Sequence, residues 1–92
     1  MVEAVSGDDP NRSKRSSGEP SWVQRRRYVG ARISVLRDRR GLSVEELARL
    51  VGLRAGEMRA VESGRRGVTF ECLIDIANAL DVSASELVDG MM

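Results

Sequence analysis

Four arginines lie within a stretch of thirteen residues: Arg54, Arg59, Arg65 and Arg66. A guanidinium group presents a planar fork of N–H donors, which pairs with phosphate oxygens or with the O6 and N7 atoms of guanine. Ala55 and Gly56 follow the first arginine directly, and their lack of bulk lets a backbone approach a ligand closely. The stretch therefore favours recognition of nucleic acid.

The composition argues against catalysis. The chain has no histidine and a single cysteine, Cys72. Acid–base or triad chemistry based on histidine is therefore excluded, and so is a usual structural zinc site. No glycine motif for phosphate or dinucleotide binding occurs. We predict no catalytic residue, no metal and no cofactor, and we expect Cys72 to be a half-buried structural residue rather than a redox sensor.

The arginines need a scaffold, and residues 42–64 predict two short helices joined by a tight turn. Ser43 and Glu46 have the spacing of a capping box that starts the first helix. Gly52 accepts the left-handed conformation of the turn, and Ala48 is small enough for the two helices to cross closely. A helix pair of this kind presents its second helix, about residues 55–63, to the major groove of DNA.

The remaining chain predicts three more helices and no strand. An apolar stripe of Val29, Ile33 and Leu36 marks the first helix, which Gly41 ends. Ser21 with Gln24 is a candidate capping box for it. Gly30 is unfavourable inside a helix, so we expect the ordered part to begin near Gly30.

Capping residues also begin the last two helices. Thr69 is placed to cap helix four, and Ser83 with Glu86 to cap a short helix five. The fold class is therefore all-α, a compact domain of five helices. The predicted core is aliphatic and comprises Val29, Ile33, Leu36, Leu47, Ala48, Val51, Leu53, Met58, Val61, Leu73, Ile76, Ala77, Leu80 and Leu87.

Composition divides the chain at about residue 21. Residues 1–21, rich in Ser, Gly, Pro and charge, predict a disordered basic and polar arm, and residues 22–92 predict the domain. Residues 1–40 carry ten basic and five acidic groups, whereas residues 41–92 carry five and nine. Contact with nucleic acid must therefore be local. No apolar run reaches bilayer length, no signal peptide is recognisable, and a single cysteine is present, so we expect a cytoplasmic protein without membrane contact.

Residues 29–90 resemble the lambda-repressor/Cro-like (Xre-type) helix-turn-helix DNA-binding family. The similar stretches are 30–33, 36–37, 40–43, 46–48, 52–53, 61–66, 73–82 and 89–90. The resemblance implies a five-helix domain that binds palindromic operators on double-stranded DNA as a homodimer. It further implies that helix three enters the major groove, while the start of helix two and the loop after helix three touch phosphates.

Carried over residue by residue, the resemblance implies a DNA-binding surface. Its members are Ser43, Val44, Arg54, Ala55, Gly56, Arg59, Ala60, Ser63, Arg65 and Arg66. The family commonly has glutamine at the position of Val44, and glutamine or serine at those of Ala55 and Gly56. Readout of adenine by an amide is therefore not expected, and Arg59 is the first choice for a base contact. The alternatives are ordinary ones: a solvated Arg59, a purely capping Ser43, and helix-dipole interactions for Arg65 and Arg66.

Several further residues allow two interpretations. Arg37 and Glu62 stand where the family commonly has a partly buried ion pair, so we expect a structural role. Arg12, Lys14, Arg15 and Arg25 to Arg27 are either a solvated face or phosphate contacts. Trp22 and Tyr28 are expected to pack. The apolar C-terminal edge formed by Leu87, Val88, Met91 and Met92 is either a dimer contact or a frayed end.

Together these features predict a sequence-specific transcriptional regulator, a repressor acting as a homodimer. The alternative is a protein-interaction adaptor, or an antitoxin-type partner protein, that keeps the fold with weak base readout. That alternative is motivated by the net acidic second half of the chain, by Val44, and by Ala55 and Gly56, which have no polar side chain.

Overall fold

The computed structural model describes residues 20–89, which form five α-helices. In chain order these are α1 (Ser21–Arg39), α2 (Val44–Val51), α3 (Ala55–Glu62), α4 (Phe70–Leu80) and α5 (Ala84–Val88). No strand occurs within this part of the chain, and the predicted five-helix all-α class is confirmed. The predicted arm lies, up to residue 19, outside the described residues, as do Met91 and Met92.

Helix α1 differs from its prediction in two respects, its start and its cap. The helix is continuous from Ser21 through Gly30 to Arg39, so the expected start near Gly30 is wrong. The predicted capping box of Ser21 and Gln24 is also wrong, because Pro20 is the N-cap residue and makes no side-chain cap. The Ser21 hydroxyl instead accepts a hydrogen bond from Arg25 Nη1 at 3.1 Å.

Gly30 is buried where α1 crosses α3. A Cβ atom added at Gly30 would lie 2.6 Å from the carbonyl oxygen of Glu62 and closer still to that of Val61. Backbone atoms cannot move aside as the end of a flexible side chain can, so only glycine fits this crossing. The residue that weakens α1 locally is therefore required by its packing.

Helices α2 and α3 form the predicted pair. The amide N–H of Glu46 donates to Ser43 Oγ at 3.0 Å, and that of Ser43 donates to Glu46 Oε1 at 2.8 Å, which confirms the capping box. Gly52 ends α2 with a left-handed φ of 78°. Ala48, 2% exposed, is buried at the crossing, and its carbonyl oxygen accepts from the Leu53 amide at 2.9 Å.

The predicted cap at the start of α4 is present, and the predicted capping box at the start of α5 is present in part. Thr69 Oγ1 accepts from the amide of Cys72 at 3.0 Å at the start of α4. At the start of α5 the Ser83 amide donates to Glu86 Oε2 at 3.4 Å, and the Ser83 hydroxyl lies 2.9 Å from that of Ser85.

The core is aliphatic, and every buried apolar residue between residues 20 and 89 belongs to the predicted set. These residues are Ile33, Leu36, Leu47, Ala48, Met58, Val61, Ile76, Ala77, Leu80 and Leu87. The other four predicted residues, Val29, Val51, Leu53 and Leu73, are partly buried and pack against this cluster. None of the helices between residues 20 and 89 is long and apolar enough to cross a bilayer.

Candidate nucleic-acid interface

Two buried side chains set the orientation of α3. Met58 and Val61 are 0% and 2% exposed and face the core, so the helix is anchored along one side. Arg59 lies on the other side with 54% of its side chain exposed. Gly56 and Ser63 are also exposed, and Ala60 is half-buried. The face predicted to read DNA is thus open to solvent within residues 20–89.

The predicted ion pair of Arg37 and Glu62 is present and joins α1 to the end of α3. The Glu62 carboxylate and neighbouring groups raise the pKa of Arg37 above its ordinary value, against the opposing effect of burial. Since Glu62 is the last residue of α3, this contact ties the C-terminal end of α3 to α1.

Glu57 organises the beginning of α3. Its Oε1 accepts from the Arg54 amide at 2.8 Å, and its Oε2 pairs with Arg66 Nη1 at 3.0 Å. One carboxylate therefore accepts from the backbone at the start of α3 and also holds the loop that follows the helix. These two contacts, the backbone one first, lower the pKa of Glu57 below its ordinary value.

The loop after α3 is folded back on the helix end. The amides of Arg65 and Arg66 both donate to the Ala60 carbonyl oxygen, at 2.9 and 3.2 Å. Ser63 Oγ donates to the same carbonyl at 3.1 Å and accepts from Arg65 Nε at 3.0 Å. Gly64, at a φ of 82°, allows this reversal. Arg65 and Arg66 are consequently held on the α3 side of the loop.

Arg59 pairs with Glu45, the second residue of α2. The two side chains are 54% and 52% exposed, so the pair lies at the surface where α2 and α3 meet. Backbone hydrogen bonding at the helix start, and then Arg59, lower the pKa of Glu45 below its ordinary value. Arg59 is therefore exposed, but its charge already has a partner.

The remaining predicted residues contribute backbone and shape. In the α2 cap Ser43 Oγ accepts from the Glu46 amide, and its O–H remains a hydrogen-bond donor. Val44 is half-buried against the core and has no polar side-chain group. Ala55 is half-buried. A Cβ atom at Gly56 would meet nothing within 4 Å. This corner of α3 therefore leaves room for a ligand to approach the backbone.

We use the term α2–α3 surface for Ser43, Val44, Glu45, Arg54, Ala55, Gly56, Glu57, Arg59, Ala60, Ser63, Arg65 and Arg66. Side-chain contacts connect its two helices and the loop. Four arginines against two glutamates leave it positively charged, although residues 41–92 as a whole carry more acidic than basic groups. Such a surface can bind phosphate oxygens and the acceptor atoms of base edges.

The extension of α1 lies beside the same loop. Arg26 stacks over Trp22, with 4.7 Å between the guanidinium carbon and the ring centroid. A Cβ atom added to Gly67 would lie 2.7 Å from Arg26 Nε, and one added to Gly64 would lie 2.7 Å from Arg27 Cγ. The loop therefore fits closely against α1. Tyr28 packs as predicted, and its hydroxyl donates to the Asp89 carbonyl. Trp22 was expected to pack as well, but it stays 48% exposed outside the core.

Cys72 is half-buried at the start of α4, as expected. Burial raises the pKa of its thiol above the ordinary value. The helix dipole therefore does not produce a reactive thiolate here, which agrees with the structural interpretation of Cys72.

Sequence analysis missed the two carboxylates of this surface. Glu57 had a local signal, because it stands three residues after Arg54, at the position of the glutamate of a capping box. No local sequence signal indicated that Glu45 pairs with Arg59. The two residues lie on different helices, and their contact depends on how α2 and α3 cross.

Comparison with known proteins gives consistent results. A family model described as a helix-turn-helix domain matches residues 29–89. An uncharacterised HTH-type transcriptional regulator of Sinorhizobium fredii, y4dJ, is 38% identical over 63 residues, which cover 68% of this chain and 82% of that protein.

The fold also occurs in solved structures. One is the restriction-modification controller protein C.AhdI from Aeromonas hydrophila, with a TM-score of 0.64 and 39% identity over 66% of this chain and 92% of that one. Another is the clp gene regulator ClgR from Corynebacterium glutamicum, with a TM-score of 0.67 and 28% identity over 72% and 74% of the two chains. These relatives are described as regulators or as a controller protein, and they confirm the family resemblance seen in the sequence. The chain therefore belongs to the helix-turn-helix family of DNA-binding transcriptional regulators.

Proposed function

We propose that this protein is a sequence-specific repressor that binds duplex DNA as a homodimer in the cytoplasm and reads the major groove with α3. The observation that carries the proposal is the exposed face of α3, bearing Arg59 and continuous with Arg65 and Arg66. Buried Met58 and Val61 hold this face outward. The controller and regulator relatives support the same role.

The residues of the α2–α3 surface differ in the part of the DNA that they contact. Arg59, in the middle of α3, reaches base edges, where an arginine discriminates guanine. Arg54, Arg65 and Arg66 bind phosphates on either side and set the register of the domain on the duplex. At the start of α2 the backbone N–H of Val44 favours an anion, whereas Ser43 contributes its hydroxyl, since its own backbone N–H donates to Glu46.

The small residues of α3 set how closely the helix approaches. Ala55 and Gly56 carry no group that reaches into the groove, and Ala60 suits contact with a thymine methyl. One α3 covers only a few base pairs. A homodimer with half-sites one helical turn apart, about 34–36 Å, doubles the sequence that is read. Sedimentation of the protein with and without its duplex tests this stoichiometry.

A second candidate, the protein-interaction adaptor, is favoured by one specific observation. Two of the four surface arginines already have carboxylate partners, Arg59 with Glu45 and Arg66 with Glu57. A surface balanced in this way attracts phosphates less strongly than four unpaired arginines would.

Selection from random duplex DNA, followed by titration at several salt concentrations, separates the two candidates. A regulator enriches one motif, and the logarithm of its binding constant falls linearly with that of the salt concentration. An adaptor enriches no motif. A reporter gene with the selected site placed in its promoter then tests repression directly.

A further inference from the structure

The ion pair of Glu45 and Arg59 has a feature that simple phosphate binding does not require. Glu45 places a half-exposed carboxylate beside the arginine on the α2–α3 surface. Phosphates repel a carboxylate, so Glu45 weakens contact with a DNA backbone. A role for this residue in DNA recognition must therefore come from a group on DNA that donates a hydrogen bond.

Base edges in the major groove offer such a donor. A C·G pair presents the N4 amino group of cytosine next to the O6 and N7 acceptors of guanine. An ionised carboxylate accepts at two oxygens, and in Glu45 the hydrogen bond from Arg59 uses only Oε2. A guanidinium has five N–H donors, and this bond uses Nη2. Glu45 therefore keeps an acceptor oxygen for the cytosine amino group, and Arg59 keeps N–H donors for the guanine acceptors.

We propose that Glu45 and Arg59 read DNA as one unit, with Glu45 accepting from cytosine N4 and Arg59 donating to guanine O6 and N7. Because the two side chains touch, their targets lie in the same C·G pair or in neighbouring pairs. This assignment makes Glu45 a specificity-determining residue, and it rests on the proposed function of α3.

Glu45 also acts against wrong sequences. A thymine or guanine facing its carboxylate presents acceptor atoms, which leaves the charge without a donor in the groove. Removing Glu45 therefore has two opposite effects. Non-specific binding becomes tighter, because a negative charge is lost and Arg59 is released to phosphates, whereas preference at one base pair is lost.

The test compares selections from random duplex DNA by the wild type, Glu45→Ala, Glu45→Gln and Arg59→Ala. Asp75→Asn is the matched control, since Asp75 is an exposed carboxylate on α4 outside the α2–α3 surface. Each variant is then titrated with the selected duplex and with one in which the C·G pair is replaced by T·A. Circular dichroism and thermal unfolding establish that each variant is folded.

We expect the wild type and Asp75→Asn to enrich the same C·G position. Glu45→Ala should lose about 5- to 150-fold of the preference for C·G over T·A, the discrimination of one good base contact. Its binding to random duplex should become tighter. Glu45→Gln should shift the preference from cytosine to adenine, because an amide pairs with adenine N6 and N7.

A motif that stays the same in both Glu45 variants, with unchanged ratios of affinity, would overturn this assignment and leave the proposed function standing. So would a uniform gain of affinity on all sequences, which marks Glu45 as a repulsive charge only. If the wild type enriches no motif at all, the proposed function itself fails, and this inference fails with it.

Discussion

Arg37 and Glu62 are joined by two hydrogen bonds, from Nε to Oε2 at 2.7 Å and from Nη2 to Oε1 at 3.1 Å. Arg37 Nη1 also donates to the Leu42 carbonyl oxygen at 2.7 Å. The two side chains are only 15% and 10% exposed. One guanidinium therefore fastens α1, the segment before α2 and the end of α3.

Glu62→Ala should destabilise the domain strongly. It leaves Arg37 charged and partly buried without its carboxylate, so we expect the free energy of unfolding to fall by about 3 kcal/mol. Urea unfolding measures the change. Arg40→Ala is the control, because it breaks an exposed pair in which Arg40 Nη1 lies 3.6 Å from Asp81 Oδ2, and it should cost less than about 1 kcal/mol. Equal losses in the two variants would contradict the structural role of Arg37.

Two glycines on crossing helices should respond oppositely to alanine. Gly30→Ala forces a methyl group against the carbonyls of Val61 and Glu62, so α1 and α3 must separate, and we expect a loss of about 1–3 kcal/mol. Gly56→Ala places the same group in open space and should gain up to about 1 kcal/mol from helix propensity. Thermal unfolding of both variants measures these changes in stability. A tolerated Gly30→Ala would show that the close crossing is not required.

The sequence predicts most of this fold because its signals are local. Each helix carries one apolar stripe, so every buried apolar residue could be predicted before the helices were placed. The caps at Ser43 and Thr69 act within three residues of themselves. Gly30 was misjudged for the same reason, because helix propensity concerns a single helix and the need for glycine comes from the α3 carbonyls.

The candidate site is less predictable than the core. Its arginines follow from the motif, but what each one contacts depends on the crossing of α2 and α3. Glu45 and Arg59 are fourteen residues apart and share no helical period. The pairing of Arg66 with Glu57 likewise depends on the reversal at Gly64, whose left-handed backbone returns the loop to α3.

Acid should weaken the start of α3. The pKa of Glu57 is lowered in the folded state, so its ionised form stabilises the fold at neutral pH, and this contribution is lost as the pH falls below the ordinary value of about 4.5 and through the folded pKa. Glu57→Gln should lower Tm at pH 7 and reduce the further fall of Tm on acidification. Glu45 and Glu46 have pKa values shifted in the same direction, so part of the fall remains.

The control for this prediction is Glu71→Gln, which removes one exposed carboxylate charge from α4. Its Tm should follow the wild-type dependence on pH. Parallel curves for Glu57→Gln and the wild type between neutral pH and pH 3 would mean that the contacts of Glu57 with Arg54 and Arg66 do not stabilise the fold.

Arg59→Ala should weaken DNA binding in a way that depends on sequence. The loss of one base contact is expected to cost about 1–3 kcal/mol on the selected duplex and to relax preference at that position. If Arg59 contacts only a phosphate, Arg59→Ala would weaken binding to all duplexes equally. The slope of the logarithm of the binding constant against that of the salt concentration would then become smaller by about one. Arg49→Ala is the charge-matched control, because Arg49 is exposed on α2 outside the α2–α3 surface. Equal effects of the two substitutions on every duplex would remove Arg59 from the base-reading site, and binding would then depend on the charge of the whole domain.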